Sequence, residues 1–152
     1  MLKMSLLTKD LLYFQNSCLS MPKLQTYVKI NYFNEEKAYL HKPISFIQRA
    51  FIAKFKLGIL PIRIETGRFA RPYLPENERT CLQCNSFSIE NESHFALYCS
   101  KHFYIREAFI NSLKMPIGFQ SDEQFLKHLS TNALTIKPFG QYLIDCFTNR
   151  KN

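Results

Sequence analysis

Apolar residues recur at helical spacing along most of the chain. From Met4 to Leu19, Leu6, Leu7, Leu11, Leu12, Phe14 and Leu19 follow that period, with Thr8 and Asp10 breaking the apolar character, and Pro22 ends the helix they predict. Lys23 to Phe33 alternates too weakly to choose between strand and helix. Asn34 followed by Glu35 and Glu36 reads as an N-cap with acids in the first turn, favouring a short helix to about His41. Pro43 suits a first helical position; Ile44, Ile47, Phe51 and Phe55 then lie three to four apart, and Gly58 is placed to end that helix.

The stretch PIRIETGRFARPYLPENER, with three prolines and one glycine, reads as ordered loop and turns. Beyond it, Asn91 and Glu92 can cap a helix running through His94 to Tyr98. Phe103 to Leu113 continues in helical period until Met115-Pro116. Ser121-Asp122-Glu123 starts another helix to about Leu129, and Pro138 to Phe147 gives a last amphipathic one. The expected fold is mainly α, a small helical domain with a zinc-knuckle turn between helices. Its parts are an N-terminal helix (1–20), a helical region with a basic helix and loop (21–75), a metal-binding region (76–114) and C-terminal helices (115–152).

A length of 152 residues with 14 Phe and 8 Tyr is enough for one domain with a real core. Twenty Lys plus Arg against 12 Asp plus Glu leave a charge of +8, which favours polyanionic partners. Thr8, Lys9 and Asp10 interrupt any stretch of signal-peptide length, and no segment approaches the roughly 20 apolar residues of a spanning helix. The expectation is an intracellular setting, nuclear or cytoplasmic, without a membrane. Five cysteines are an odd number, and there they stay reduced.

Four of the chemistry-bearing residues have ligand spacing. Cys81, Cys84, His94 and Cys99 form C-x2-C-x9-H-x4-C. Two cysteines separated by two residues can aim both sulfurs at one metal across a tight turn, and a His and a Cys further on can complete a tetrahedron. Three thiolates and an imidazole suit one Zn2+, and four protein ligands leave no position for an activated water, so the expected role is structural. His102, in C-x2-H with Cys99, is a rival fourth ligand. Cys18 and Cys146, each on an apolar helix, read as small buried hydrophobes, and His41 and His128 as surface or cap residues.

Between residues 49 and 71, Arg49, Lys54, Lys56, Arg63, Arg68 and Arg71 face only one acid, Glu65. If the helix buries Ile47, Phe51 and Phe55, Lys54 turns to solvent and Arg49 and Lys56 sit near the edges. Guanidinium groups beside Phe69 and Tyr73 suit phosphate contact with base stacking, although aromatic residues more often fill a core. The bland reading is a solvated face, with Arg63 paired to Glu65 or Glu78.

The run FIAKFKLGILPIRIETGRF, followed by PENERTCLQC and ENESHFALYC, resembles the zinc-binding region at the C-terminal end of reverse transcriptases from LINE-like (non-LTR) retrotransposons. The resemblance is strongest from about Ile44 to Arg106 and weaker from Met21 to Arg150. It implies that Cys81, Cys84, His94 and Cys99 match the family's CCHC ligands. It also implies a domain that holds element RNA or target DNA near a polymerase, through the phosphate backbone. The polymerase body, its Y-x-D-D motif and the endonuclease are missing, so the resemblance implies a fragment without polymerase activity.

The competing class is a structural or protein-interaction domain that packs against a polymerase body. Enzyme chemistry is disfavoured: Glu90 and Glu92 sit where a loop and a helix start account for acidic residues, and no nucleophile motif or phosphate-cradling glycine loop is present.

Overall fold

The computed structural model describes residues 2–31, 38–113 and 118–150. They form a mainly helical domain: α1 (Leu2–Ser20), α2 (Gln25–Ile30), α3 (Ala38–His41), α4 (Phe46–Lys56), α5 (Arg63–Thr66), α6 (Phe103–Ser112), α7 (Asp122–Thr131) and α8 (Ile136–Asn149). Short 3-10 turns and one π-helical turn, His94–Tyr98, join them. The region left open between strand and helix contains α2. The N-cap expected at Asn34 to Glu36 lies outside the described residues, as does Met115-Pro116.

Helix α8 is the axis of the core. Ile136, Phe139, Leu143 and Cys146 recur along one face and are fully buried, with Tyr142 beside them. Phe139 meets Phe55 of α4 edge to face at 5.3 Å, and Tyr142 stacks on Phe109 of α6 at 4.4 Å. The Tyr142 hydroxyl donates to the Ala96 carbonyl, which ties α8 to the π-helical turn.

Two expectations for α4 change. Pro43 is not in the helix: Ser45 is its N-cap, accepting from the Gln48 amide at 3.2 Å while Gln48 Oε1 accepts from the Ser45 amide at 3.0 Å. This reciprocal box satisfies two amides that Pro43 has no side-chain oxygen to satisfy. The buried face is also rotated. Gln48, Ile52, Phe55 and Lys56 point inward, whereas Ile47 is 58% exposed and Phe51 packs at the margin on Phe147. Gly58, at φ 66°, ends the helix as expected.

The loop after α4 holds more helix than its prolines predict, in α5 and the turns Gly67–Phe69 and Glu76–Glu78. Helix α7 starts at its Ser121 cap, and α8 begins before Pro138, which sits in its first turn, where a missing N–H costs no helical bond. Cys18 and Cys146 are buried as expected. None of the described helices is long and apolar enough to cross a membrane.

Close approach between α4 and α8 depends on Gly140, where an added Cβ would stand 2.9 Å from Gln48 Cβ and 3.0 Å from Ile52 Cδ1. Ala gains about 1 kcal/mol in helix propensity over Gly, but overpacking here costs more. Gly140→Ala is expected to lower stability by about 1–3 kcal/mol. Gly118→Ala, whose Cβ meets nothing within 4 Å, is expected to stay within about 0.5 kcal/mol. Urea unfolding midpoints check both.

Candidate metal centre

Cys81, Cys84, His94 and Cys99 converge, with one ligand atom of each lying within 4.8 Å of all the others. A short hairpin makes this possible. Thr80 and Ile89 form an antiparallel bridge, the Cys81 amide donates to the Ser88 carbonyl at 2.9 Å, and the Glu90 amide donates to the Arg79 carbonyl at 2.9 Å. The turn between carries Cys81 and Cys84, and Phe87 at its end holds a left-handed φ of 55°. The chain then enters the π-helical turn under an Asn91 cap, whose Oδ1 accepts from the His94 amide at 2.8 Å. That turn presents His94, and Cys99 follows directly at its end.

The separations fit a tetrahedral ion. Sulfurs each about 2.3 Å from one zinc stand about 3.8 Å apart, and a sulfur and an imidazole nitrogen about 3.5 Å apart. Cys81 Sγ and Cys99 Sγ are 3.8 Å apart, and Cys84 Sγ and His94 Nε2 are 3.4 Å apart. Three sulfurs and one nitrogen form a donor set suited to zinc.

The thiols differ in readiness. Desolvation pushes the Cys81 thiol well up and the Cys99 thiol up, so without a cation both stay protonated at neutral pH. Desolvation also pushes Cys84 up, but hydrogen bonds from the Ser86 hydroxyl and amide, then from Cys81 and His94, outweigh it and hold this thiol down at about 6. Cys84 is the ready thiolate, and a bound cation would supply the field that deprotonates the other two. Three thiolates around a divalent ion would leave one net negative charge. Basic groups stand beside it: Arg106 Nη1 donates to the Cys99 carbonyl at 3.1 Å, and Arg150 pairs with Glu90, whose Oε1 lies 3.5 Å from Cys81 Sγ.

His102 is not one of the four converging residues. It is fully buried, packs edge to face on Phe95 at 5.2 Å, and turns Nδ1 toward Asn149 at 3.5 Å. Burial, then Arg150, pushes it down to about 4, so its ring is a neutral core group. Of the other histidines, His41 is exposed and His128 is half-buried against Phe119 at 5.2 Å.

The basic candidates divide. Lys54 and Arg71 are exposed; Arg49, Arg63 and Arg68 are half-buried. Lys56 is a correction, at 1% exposure: its stem runs through the core beside Phe55, and Nζ donates to the Ser130 carbonyl at 3.4 Å and lies 5.3 Å from the Tyr39 ring centre. Ser130 belongs to the last turn of α7, where carbonyls lack helical partners and attract a cation. Lys56 therefore does not reach a surface ligand. Arg63 pairs with neither Glu65 nor Glu78; Glu65 instead binds Arg68 at 3.2 Å and Lys23 at 3.3 Å. Phe69 and Tyr73 are exposed and not core.

Three residues carry structure that spacing did not reveal. Glu90, 1% exposed, accepts from the Arg63 amide at 2.7 Å, and its carbonyl accepts from the Ile64 amide at 3.1 Å. Buried Arg79 donates to the Leu74 carbonyl at 2.9 Å, the Ile64 carbonyl at 3.0 Å and the Tyr73 hydroxyl at 3.1 Å, holding the basic loop around itself. Buried Glu92 accepts from the Thr26 hydroxyl at 3.0 Å. Glu90 and Glu92 are thus interior joints. No family pattern, curated protein or solved structure matches this chain.

Elemental analysis of protein purified without chelator is expected to find one metal ion per chain. Cys84→Ser and His94→Ala each abolish it and weaken the helical circular-dichroism signal, whereas His102→Leu retains it. Metal loss in His102→Leu with retention in His94→Ala would reassign the fourth ligand.

Proposed function

We propose that this protein is a zinc-stabilised nucleic-acid-binding module, of the kind its resemblance to the C-terminal region of LINE-like reverse transcriptases implies, without enzymatic activity of its own. The observation that carries the reading is the Glu90 joint: the residue that abuts Cys81 also accepts from the Arg63 amide, and its carbonyl accepts from the Ile64 amide. Closing the cage around one Zn2+ therefore fixes where α5 and the basic loop after it stand. Four protein ligands fill the tetrahedron, leaving no position for an activated water, so the ion organises the fold.

Two features support phosphate as the partner. Arg49 and Arg63 are half-buried and in no ion pair among the described residues, and phosphate oxygens are strong acceptors for a guanidinium. Exposed Phe69 and Tyr73 offer rings for stacking. RNA and DNA both meet these demands.

A second reading has its own observation: Leu12, Tyr13 and Leu19 of α1 are exposed, an apolar surface suited to packing against a polymerase body. Fluorescence anisotropy separates the two. With Lys56 buried, Arg49, Lys54, Arg63, Arg68 and Arg71 remain. If these five neutralise about five phosphates of a single strand, raising salt from about 50 to 200 mM weakens binding roughly a hundredfold. No binding of labelled single-stranded RNA or DNA at low salt, with zinc loaded, would favour the packing role.

A further inference from the structure

A polar cleft of about 620 Å³ lies between the segment around α2 and the metal-binding hairpin. Lys23 and Lys29 line one wall, Arg68 and Tyr73 of the basic loop another, and Asn91 and Glu92, just before the metal-binding turn, reach into it. Its size falls within the range of small-ligand sites. Neither lysine belongs to the cation-rich segment between Arg49 and Arg71.

The cleft has three unmet demands. The first is at its floor. Glu92 is 6% exposed; one carboxylate oxygen accepts from Thr26, but Oε1 is buried with no hydrogen-bond partner. A buried acceptor left empty is costly, so this oxygen calls for an N–H donor from outside. Gly58 presents no side chain against it: even a Cβ there would stand 3.5 Å from Oε1.

The second demand is at the rim. Lys23 and Arg68 share the single carboxylate of Glu65, at 3.3 and 3.2 Å, and across the lining the four cations Lys23, Lys29, Arg68 and Arg79 stand against two acids, Glu76 and Glu92. Lys29 reaches Glu123 at 3.6 Å, with both side chains more than half exposed. Such pairs are weak in water and exchange readily for a phosphate. The third demand is a flat partner. Arg79 donates to the Tyr73 hydroxyl and sets its guanidinium over the ring, 5.6 Å from the ring centre, which orients the ring, and Tyr73 is still 66% exposed.

A nucleotide meets all three: a phosphate for the rim, a base edge with N–H donors for Glu92 Oε1, and a π face for Tyr73. An acidic peptide supplies the anion but no planar donor edge, and an arginine side chain supplies donors but is repelled at the rim. We propose that this cleft is a base-reading subsite for one nucleotide of a bound single strand, with Lys23, Lys29 and Arg68 on its phosphate and Glu92 on its base. The inference rests on the nucleic-acid reading above and extends base contact from the Phe69 and Tyr73 rings into the α2–hairpin cleft.

Fluorescence anisotropy of the zinc-loaded full chain against labelled ten-nucleotide oligo(rA), oligo(rC) and oligo(rU) tests it, with metal content and circular dichroism confirming that each variant is folded. Lys23→Ala/Lys29→Ala is expected to weaken all three alike and to lower the salt slope by about 0.7, the share of the one single-strand phosphate they hold. Glu92→Gln, which keeps the shape, is expected to change the relative affinities of the three by about fivefold at an unchanged salt slope. If both cleft variants bind like the parent while Lys54→Ala/Arg71→Ala loses affinity, the subsite is overturned and nucleic-acid binding stands. If Glu92→Gln weakens all three equally, base reading is overturned. If the parent binds none of them, subsite and nucleic-acid reading fall together; capture of an arginine-bearing peptide through Glu92, with RNA binding unaffected, also overturns the subsite.

Discussion

The convergence of three sulfurs and one imidazole is the constraint that everything near the basic loop depends on. The hairpin that carries Cys81 and Cys84 has a single antiparallel bridge, Thr80 to Ile89, and a two-stranded ribbon of that size is marginal in water on its own. Phe87 adds to the deficit, because a left-handed backbone costs a residue with a side chain about 1–2 kcal/mol. Binding of a structural zinc by such ligands is worth on the order of 10–16 kcal/mol, comparable to or above the stability of a whole domain. The proposed ion is thus strong enough to hold a hairpin that strand pairing alone does not.

The cage is coupled to the helical body mainly through the second half of α8. Tyr142 bonds the Ala96 carbonyl inside the π-helical turn, Asn149 Nδ2 donates to the Lys101 carbonyl at 2.8 Å just past Cys99, and Arg150 closes on Glu90 beside Cys81. Helix α8 and the residue that caps it therefore contact the metal module at three heights, while Phe139 and Phe147 pack on α4. A distortion of the cage is carried to α5 through Glu90 and to the core through Tyr142, since buried, hydrogen-bonded joints of this kind do not yield independently.

Ligand spacing was legible in the sequence because four donor types at short intervals constrain geometry directly: C-x2-C needs a tight turn, and the structure supplies one. Helix α8 was legible through its apolar period. The inward face of α4 was not, for a physical reason: Ile47 and Phe51 have the right spacing and the right chemistry, yet α4 meets α8 at Gly140, which draws Gln48 and Ile52 inward. That rotation carries Lys56 into the core, where the end of α7 satisfies its ammonium. Tertiary contact chose between two plausible faces, and nothing local distinguishes them. The interior roles of Glu90 and Glu92 were hidden for a similar reason, because an acid in a loop or at a helix start looks the same whether it faces water or an interior partner.

Counting positive charges along the chain therefore does not by itself show which cations can meet a phosphate. A cation matters to a phosphate only if its head group reaches solvent and its present partner is weak. Lys56 fails the first condition, and Arg79 fails the second, since two carbonyls and the Tyr73 hydroxyl occupy its guanidinium. Lys23 and Lys29, outside the cation-rich stretch, meet both, because each is half exposed and its acid is shared or distant. Exposure and the strength of the existing partner, which arise only when α2 is packed against the hairpin, decide which of the chain's cations are available to a nucleic acid.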